Sequence, residues 1–179
     1  MRMTTRAVVT VAFAAWMTGA SGNARALDLN GLAKKAAGSA EGAAASKVEQ
    51  KVNAKLLADG RKNQCSFKTD TDELVPGCDA KLKKLTAALV DAKKQLDAAG
   101  MRNYKFEVSG HTDTSGSAEH NKQLSEKRAQ VIVKELMARG IAAGEIIAVG
   151  MGSEKPLVSP DNTPAKKAKN RRYEIRVRL

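Results

Sequence analysis

The sequence predicts an α/β fold, a two-layer sandwich in which two helices pack on a mixed four-stranded sheet. Two long segments carry apolar residues at helical spacing, and the segments around them alternate apolar with polar residues. Each predicted helix has a single apolar stripe, so both stripes are expected to be buried against the same sheet. The predicted order is β-α-β-α-β-β, preceded by a partly helical N-terminal leader.

Residues 1–26 have the pattern of a signal peptide. They start with basic residues, the run Ala7–Ala20 is largely apolar but too short to span a bilayer, and Ala24-Arg25-Ala26 is a small-x-small cleavage site. An anchor helix that is never cut is the alternative. Residues 27–179 are expected to be exported and soluble.

Residues 27–62 form a leader that is rich in Ala, Gly and Lys. Val48, Val52 and Leu56 are spaced by four residues, which indicates a thin helical stripe, while upstream glycines disfavour helix. We interpret this segment as a partly helical, solvated spacer. The alternative is a helix that docks an outer-membrane or other envelope protein. The folded domain is expected to span residues 63–179.

The first half of the domain contains one weak and two clear elements. Gln64–Lys68 is a short strand signal, and a polar segment with a Pro-Gly turn follows it. A helix is predicted over Asp79–Ala99, because leucines recur on one face and Gly100 gives a C-terminal stop. Alternation over Tyr104–Val108 predicts the next strand.

The second half begins with a loop at residues 110–117 and a second helix over about 118–139. A third strand is predicted at Glu145–Val149. Residues 150–169 are marked by Gly, Pro and Asn and are expected to form a long loop. The final strand, Tyr173–Leu179, alternates apolar residues with Glu and Arg, so its Arg-rich face is expected to lie in solvent.

Cys65 and Cys78 are the two cysteines of the chain. In an exported protein an isolated pair is first interpreted as a disulfide. Closing this short loop would stabilise the fold by about 3 kcal/mol on the chain-entropy model. The alternatives are two unpaired buried thiols or half of a metal site, and the latter has no nearby Cys or His to complete it.

The chain is basic, with a formal net charge of +12. Residues 1–26 contribute three Arg and no acid, so residues 27–179 carry +9 of that charge. A basic surface suits polyanions such as anionic lipid or an acidic wall polymer. Export argues against nucleic acid as a partner, and an aromatic content of 3% provides few platforms for base stacking.

The segment from Gly110 to Arg128 is the most informative in the chain. Asp113 lies in a Gly-bounded loop after a predicted strand, and Arg128 lies on a helix face with Asn121 and Ser125. A carboxylate and a guanidinium placed on two sides of one cavity can bind a small zwitterion. The alternatives are that Asp113 forms a turn or caps the helix, and that Arg128 is a solvated surface cation.

Several spaced positions of this segment and of the chain after it match a known family in order. They are Gly110-His111-Thr112-Asp113, Gly116, Asn121, Leu124-Ser125, Arg128-Ala129, Gly150, Gly152, Pro156, Asn162-Thr163 and Asn170-Arg171-Arg172-Tyr173-Glu174-Ile175. With these residues the chain resembles the peptidoglycan-binding domain of outer-membrane protein A, which also occurs in the peptidoglycan-associated lipoprotein and in flagellar stator proteins. The family fold is an α/β sandwich with helices packed on a mixed sheet.

The resemblance implies a function and assigns residues to it. In the family the positions of Asp113 and Arg128 hold the diaminopimelate residue of the peptidoglycan stem peptide, the carboxylate taking the ammonium and the guanidinium taking the carboxylate. Asn121 is implied to orient the loop or bind the ligand. Thr112, Thr114 and Ser125 are weaker candidates. One arginine of Arg171-Arg172 is expected to face the ligand or to hold the loop that contains Asp113, and the alternative for the other is a basic strand edge that discourages edge-to-edge pairing. The implied protein is a non-catalytic, cofactor-free binder in the periplasm of a Gram-negative bacterium.

The sequence departs from the family pattern near its end. Lys166-Lys167 stand where many members have Gly-Arg, and Tyr173 stands where Val is common. His111, His120 and Asp113 fit no standard zinc spacing, so no metal site is predicted. The serines near His111 lack a nucleophile-elbow motif, and the glycines match no phosphate loop, so neither hydrolysis nor nucleotide binding is predicted.

Overall fold

The computed structural model describes residues 29–179, with side chains from residue 42 onward. The predicted signal peptide, residues 1–26, lies outside the described residues. The elements are α1 (Leu29–Lys62), α2 (Asp79–Ala98), β1 (Lys105–His111), α3 (Ala118–Met137), a 3-10 turn (Ala143–Glu145), β2 (Ile146–Gly150), α4 (Pro164–Asn170) and β3 (Arg172–Arg178). No helix within the described part of the chain combines the length and the apolar character needed to cross a membrane.

The sheet is mixed and has the strand order β2-β1-β3. Strand β1 is central, pairing in parallel with β2 and antiparallel with β3, so that Phe106 lies opposite both Ile146 and Val177. Helix α3 packs on β1 and β2. The stripe of α2 that the leucine spacing predicted is buried in the core, since Leu82, Leu85, Leu89 and Leu96 are all at most 2% exposed. The α/β class and the mixed sheet are therefore confirmed.

The predicted fourth strand is not present among the described residues. At Gln64–Lys68 only an isolated bridge forms, between Phe67 and Leu74. The reason lies at the free edge of β3, which is covered by the side-chain carboxamides of Asn53 in α1 and Gln64 just after it. Asn53 accepts a hydrogen bond from the Val177 amide at 2.7 Å, and Gln64 both accepts from the Tyr173 amide at 3.1 Å and donates to its carbonyl at 2.7 Å. These carboxamides take the place that a neighbouring strand would occupy.

From residue 42 onward, where side chains are described, the leader is more closely packed than a solvated spacer. Helix α1 contacts α2 and β3, and Val52 and Leu56 belong to the core with exposures of 1% and 3%. Val48 packs against the same core. The spacer interpretation is therefore wrong for this part of the leader, and the packed unit begins upstream of residue 63. Three apolar residues at spacing four are enough to pack this helix on the core, because α2 and β3 present an apolar surface to them.

The segment expected to be a long loop, residues 150–169, contains the start of the short helix α4. The Thr163 side chain accepts a hydrogen bond from the Lys166 amide, and Pro164 occupies the first turn. Seven mostly polar residues show no apolar periodicity, so the sequence pattern could not reveal this helix.

The face of the sheet opposite the helices, which we call the outer face, is covered by its own ion pairs. Glu174 accepts from Arg172 and Arg176, and Glu107 accepts from Arg178. Arg176 and Arg178 are about half exposed, as expected for this strand, whereas the side chain of Arg172, at the start of β3, is 8% exposed.

His111 lies on this outer face opposite Arg172 and is buried. Burial, together with the charge of Arg172, lowers the pKa of His111 from 6.5 to about 4. The imidazole is therefore neutral at physiological pH.

Removing the disulfide between Cys65 and Cys78 is expected to lower the free energy of unfolding by about 3 kcal/mol, because the bond closes a loop across a separation of 13 residues. The variant combines Cys65→Ser with Cys78→Ser, and chemical denaturation measures the loss. A thiol reductant should bring the wild-type protein to the level of the variant and leave the variant unchanged. Equal stability of the oxidised wild type and the variant would contradict the prediction.

His111 gives a prediction about pH. Between pH 6.5 and 4 the unfolded chain binds a proton that the folded chain does not, so stability falls as the pH falls through this window. The expected contribution is about 3 kcal/mol. Chemical denaturation at several pH values should give a flatter profile for His111→Gln than for the wild type, and identical slopes would show that the imidazole titrates normally in the folded state.

Candidate functional site

One cavity of about 1170 Å³ brings together the two charges that the sequence singled out. Asp113 enters it from the loop at residues 112–117, which we call the binding loop, and Arg128 enters it from α3. The remaining walls come from the segment between α1 and α2 and from the junction of α4 with β3. Asn121 and Thr112 line the same cavity, whereas Thr114 and Ser125 do not.

Glycines allow this arrangement because they let α3 approach the sheet closely. A Cβ at Gly110 of β1 would collide with the backbone carbonyl of Ser125, and one at Gly150 of β2 would lie 2.6 Å from the carbonyl oxygen of Lys122. The polar face of α3 is consequently pressed against the ends of both strands, where the binding loop begins.

Asp113 is buried and forms both a turn and an ion pair. Its Oδ1 accepts a hydrogen bond from the Ser115 amide at 2.9 Å. This oxygen therefore has the turn-forming role that the sequence offered as an alternative for Asp113. Its Oδ2 lies 2.6 Å from Nη1 of Arg171. Burial alone would raise the pKa of Asp113, but Arg171 and Ser115 outweigh it and hold the pKa below its usual range.

Arg128 is buried, with 9% of its surface exposed, so the interpretation as a solvated surface cation is wrong. Its Nε donates to the Thr71 carbonyl at 2.8 Å and its Nη2 donates to the Lys68 carbonyl at 3.3 Å. Its guanidinium lies 5.1 Å from the centre of the Phe67 ring. No carboxylate within the described residues lies at ion-pair distance from it.

The groups that hold Arg128 all belong to one segment, residues 66–77, which we call the disulfide loop. The bond between Cys65 and Cys78 closes it, and the Lys68 and Val75 amides donate across it to the Glu73 and Ser66 carbonyls at 2.9 Å. The disulfide that the sequence predicted is thus present, and it bounds one wall of the cavity. The contribution of Phe67 was missed because the sequence showed only a weak strand signal there.

Asn121 holds the binding loop from below. Its Nδ2 donates to the Ser115 carbonyl at 2.8 Å and, more weakly, to the Asp113 carbonyl at 3.4 Å. Ser117 caps the start of α3 by accepting from the His120 amide. These contacts fix the chain on both sides of Asp113.

Thr112, Thr114 and Ser125 serve mainly to join segments. The Thr112 amide donates to the Gly152 carbonyl at 2.9 Å, while its buried Oγ1 has no hydrogen-bond partner among the described residues. Ser125 accepts from the Gly152 amide at 2.8 Å. Thr114 donates from its amide at 3.0 Å and from its hydroxyl to the two carboxylate oxygens of Asp161.

Asp161 and Asn170 are the site residues whose roles the sequence did not reveal. Asp161 also accepts from Asn170 Nδ2 at 3.0 Å, and Asn170 accepts from the Leu157 and Val158 amides. The hydrogen bonds from Thr114 and then from Asn170 lower the pKa of Asp161 to about 2. Asn170 was part of the matching run, whereas Asp161 had no signal, because its partners lie far away in the sequence.

The structure distinguishes the two arginines at the start of β3. Arg171 turns toward the binding loop and pairs with Asp113, with its side chain 46% exposed. Arg172 bonds to Glu174 and to the Lys155 carbonyl. Both arginines line the cavity, and Arg171 is the one that pairs with Asp113.

Comparison with known proteins shows which family this chain resembles. The model of the OmpA family matches residues 66–171, which is more than half of the chain. Peptidoglycan-binding protein ArfA of Mycobacterium tuberculosis is 46% identical over 68 residues, covering 38% of this chain and 21% of that protein. Outer membrane protein A of Klebsiella pneumoniae is 47% identical over 99 residues, covering 51% of this chain and 29% of that protein. The chain thus spans less than a third of either relative.

A solved structure has the same fold. The peptidoglycan-associated lipoprotein from Burkholderia pseudomallei superposes with a TM-score of 0.51 at 23% identity, over 64% of this chain and 87% of that chain. The resemblance seen in the sequence is confirmed by the family match, and the chain belongs to the OmpA family.

Proposed function

We propose that this protein binds peptidoglycan without covalent chemistry, through the diaminopimelate residue of the stem peptide, and thereby anchors or stabilises the cell envelope. The observation that carries the proposal is the buried Arg128, which has neutral acceptors but no carboxylate partner among the described residues. A buried charge without a counter-ion is costly, so a ligand carboxylate that pairs with it gains considerably. The bonded Nε and Nη2 leave Nη1 to meet such a carboxylate.

Asp113 supplies the complementary half of the proposed site. It is ionised, it lies in the same cavity, and its partner Arg171 is half exposed, so a ligand ammonium can share or take its place. Two charge-assisted contacts imply roughly micromolar to millimolar affinity for one free stem peptide. A sacculus offers many copies of the ligand, which increases the retention of any multivalent form of the protein on the wall.

The family supports this proposal, since one relative is named a peptidoglycan-binding protein. The envelope is the corresponding location, and we propose the periplasm of a Gram-negative bacterium, at the cell wall or outer membrane. Docking of an envelope protein through residues 27–62 stays a prediction. Because Val52 and Leu56 are buried in the core of this chain, such docking would use the upstream part of α1.

The first test is co-sedimentation with purified diaminopimelate-type sacculi at moderate salt. Arg128→Gln and Asp113→Asn should each weaken binding at least about tenfold, because each removes one charge-assisted contact. Arg176→Gln is the matched control, since it removes a half-exposed charge from the outer face. Chemical denaturation should show that all variants remain folded. An equal loss in Arg176→Gln would mean that binding is only general charge attraction.

The second test addresses the contact between Phe67 and Arg128. Phe67→Ala should weaken sacculus binding about fivefold, because the cation-π contact that holds the guanidinium is lost. Phe67→Tyr should restore most of it. Leu74→Ala is the control, since Leu74 lies opposite Phe67 in the same loop and is not a wall of the cavity. Equal binding by Phe67→Ala and the wild type would show that the ring does not position Arg128.

A further inference from the structure

The cavity carries more positive charge than a zwitterionic ligand can neutralise. Two acidic residues line it, Asp70 and Asp113, and Asp113 is already paired with Arg171. The cations that line it outnumber them, although two of these cations pair with acids outside the lining, Lys68 with Glu73 and Arg172 with Glu174. The lining cations are Arg61, Lys68, Arg128, Lys167, Lys169, Arg171 and Arg172. A ligand with one ammonium and one carboxylate would leave this excess unchanged, so the cavity favours a ligand with more carboxylates than ammonium groups.

The excess charge is concentrated beside the binding loop. Lys167 of α4 donates from its Nζ to the Ser115 hydroxyl at 2.7 Å, two residues from Asp113. Arg171 follows four residues later and reaches Asp113 itself. Arg171 directly follows α4 and its amide donates to the Lys167 carbonyl at 3.0 Å, so the two side chains lie on the same side of this turn. These two cations line one side of the cavity, while Arg128 is held by the disulfide loop.

We propose that Lys167 and Arg171 form a second carboxylate subsite, so that the cavity selects stem peptides with two free carboxylates. This inference rests on the proposed function. The glutamyl residue next to diaminopimelate in the stem continues the chain through its side-chain carboxyl and therefore carries a free α-carboxylate. Arg128 takes the diaminopimelate carboxylate, Asp113 takes the ammonium, and the second subsite takes the glutamyl carboxylate. Peptides in which that carboxylate is amidated lose this contact.

The chain offers a matched pair of variants for testing this assignment. Lys166 and Lys167 are neighbours on α4, but Lys166 donates to Asn162 and is not a wall of the cavity. Lys166→Gln and Lys167→Gln therefore remove the same charge from the same helix, and they differ in whether that charge faces the ligand.

The experiment is isothermal titration calorimetry of residues 27–179 with two synthetic stem peptides, one with a free and one with an amidated glutamyl carboxyl. The wild type should bind the free form about tenfold more tightly, the value of one charge-assisted contact. Lys167→Gln should reduce that ratio to about threefold or less by weakening binding of the free form alone, and Lys166→Gln should keep the wild-type ratio.

The outcomes separate the two proposals. If wild type binds both peptides equally, the second subsite is wrong and the proposed function stands. If both lysine variants lower the ratio equally, the preference comes from overall charge, and the assignment to Lys167 is wrong. If neither peptide binds while a control protein of known affinity does, the proposed function fails and the inference fails with it.

Discussion

The close packing of α3 against β1 and β2 is the constraint on which the rest of the site depends. Gly110 and Gly150 lie directly under the backbone of α3, with no room for a Cβ at either position. Because the helix lies this low, Asn121 reaches the carbonyls of the binding loop and Ser125 reaches the Gly152 amide. The same approach brings Arg128, one turn after Ser125, to the cavity that Asp113 enters. Helix–sheet packing therefore determines the geometry of the candidate site.

The disulfide loop completes the cavity and provides neutral hydrogen-bond partners for the buried charge of Arg128. Arg128 is desolvated by the fold, yet an internal carboxylate would compete with any anionic ligand. The loop supplies neutral partners, two carbonyls and the Phe67 ring, which bind part of the guanidinium without forming an ion pair with it. Such a loop gains little from its own packing, because it is short and mostly exposed. The covalent link between Cys65 and Cys78 reduces the conformational entropy that the unfolded loop would otherwise gain.

The sequence revealed those features that depend on local periodicity or on a specific pattern of residues. Apolar spacing predicted α2 and α3, alternation predicted β1 and β3, and the matching run singled out Asp113 and Arg128. The missing parts depend on contacts between distant segments. Asn53 and Gln64 cover the edge of β3, more than a hundred residues away, and so remove the fourth strand. Asp161 supports the binding loop through Thr114, 47 residues earlier. Asn53, Gln64 and Asp161 are not unusual in their local sequences, so no local rule could identify their distant partners.

The candidate site combines two charged residues that are held in place with partners that can be given up when a ligand binds. Asp113 lies in the binding loop directly after β1 and Arg128 lies on α3, and both side chains are buried. Their present partners lie on connecting segments, and neither partnership is costly to alter. Arg171 is half exposed, so water compensates it when a ligand ammonium approaches Asp113. Arg128 has no ion pair to break among the described residues, since its acceptors are carbonyls. Ligand charges can therefore be exchanged for internal ones without disturbing the core, which is consistent with the weak, reversible attachment that we propose.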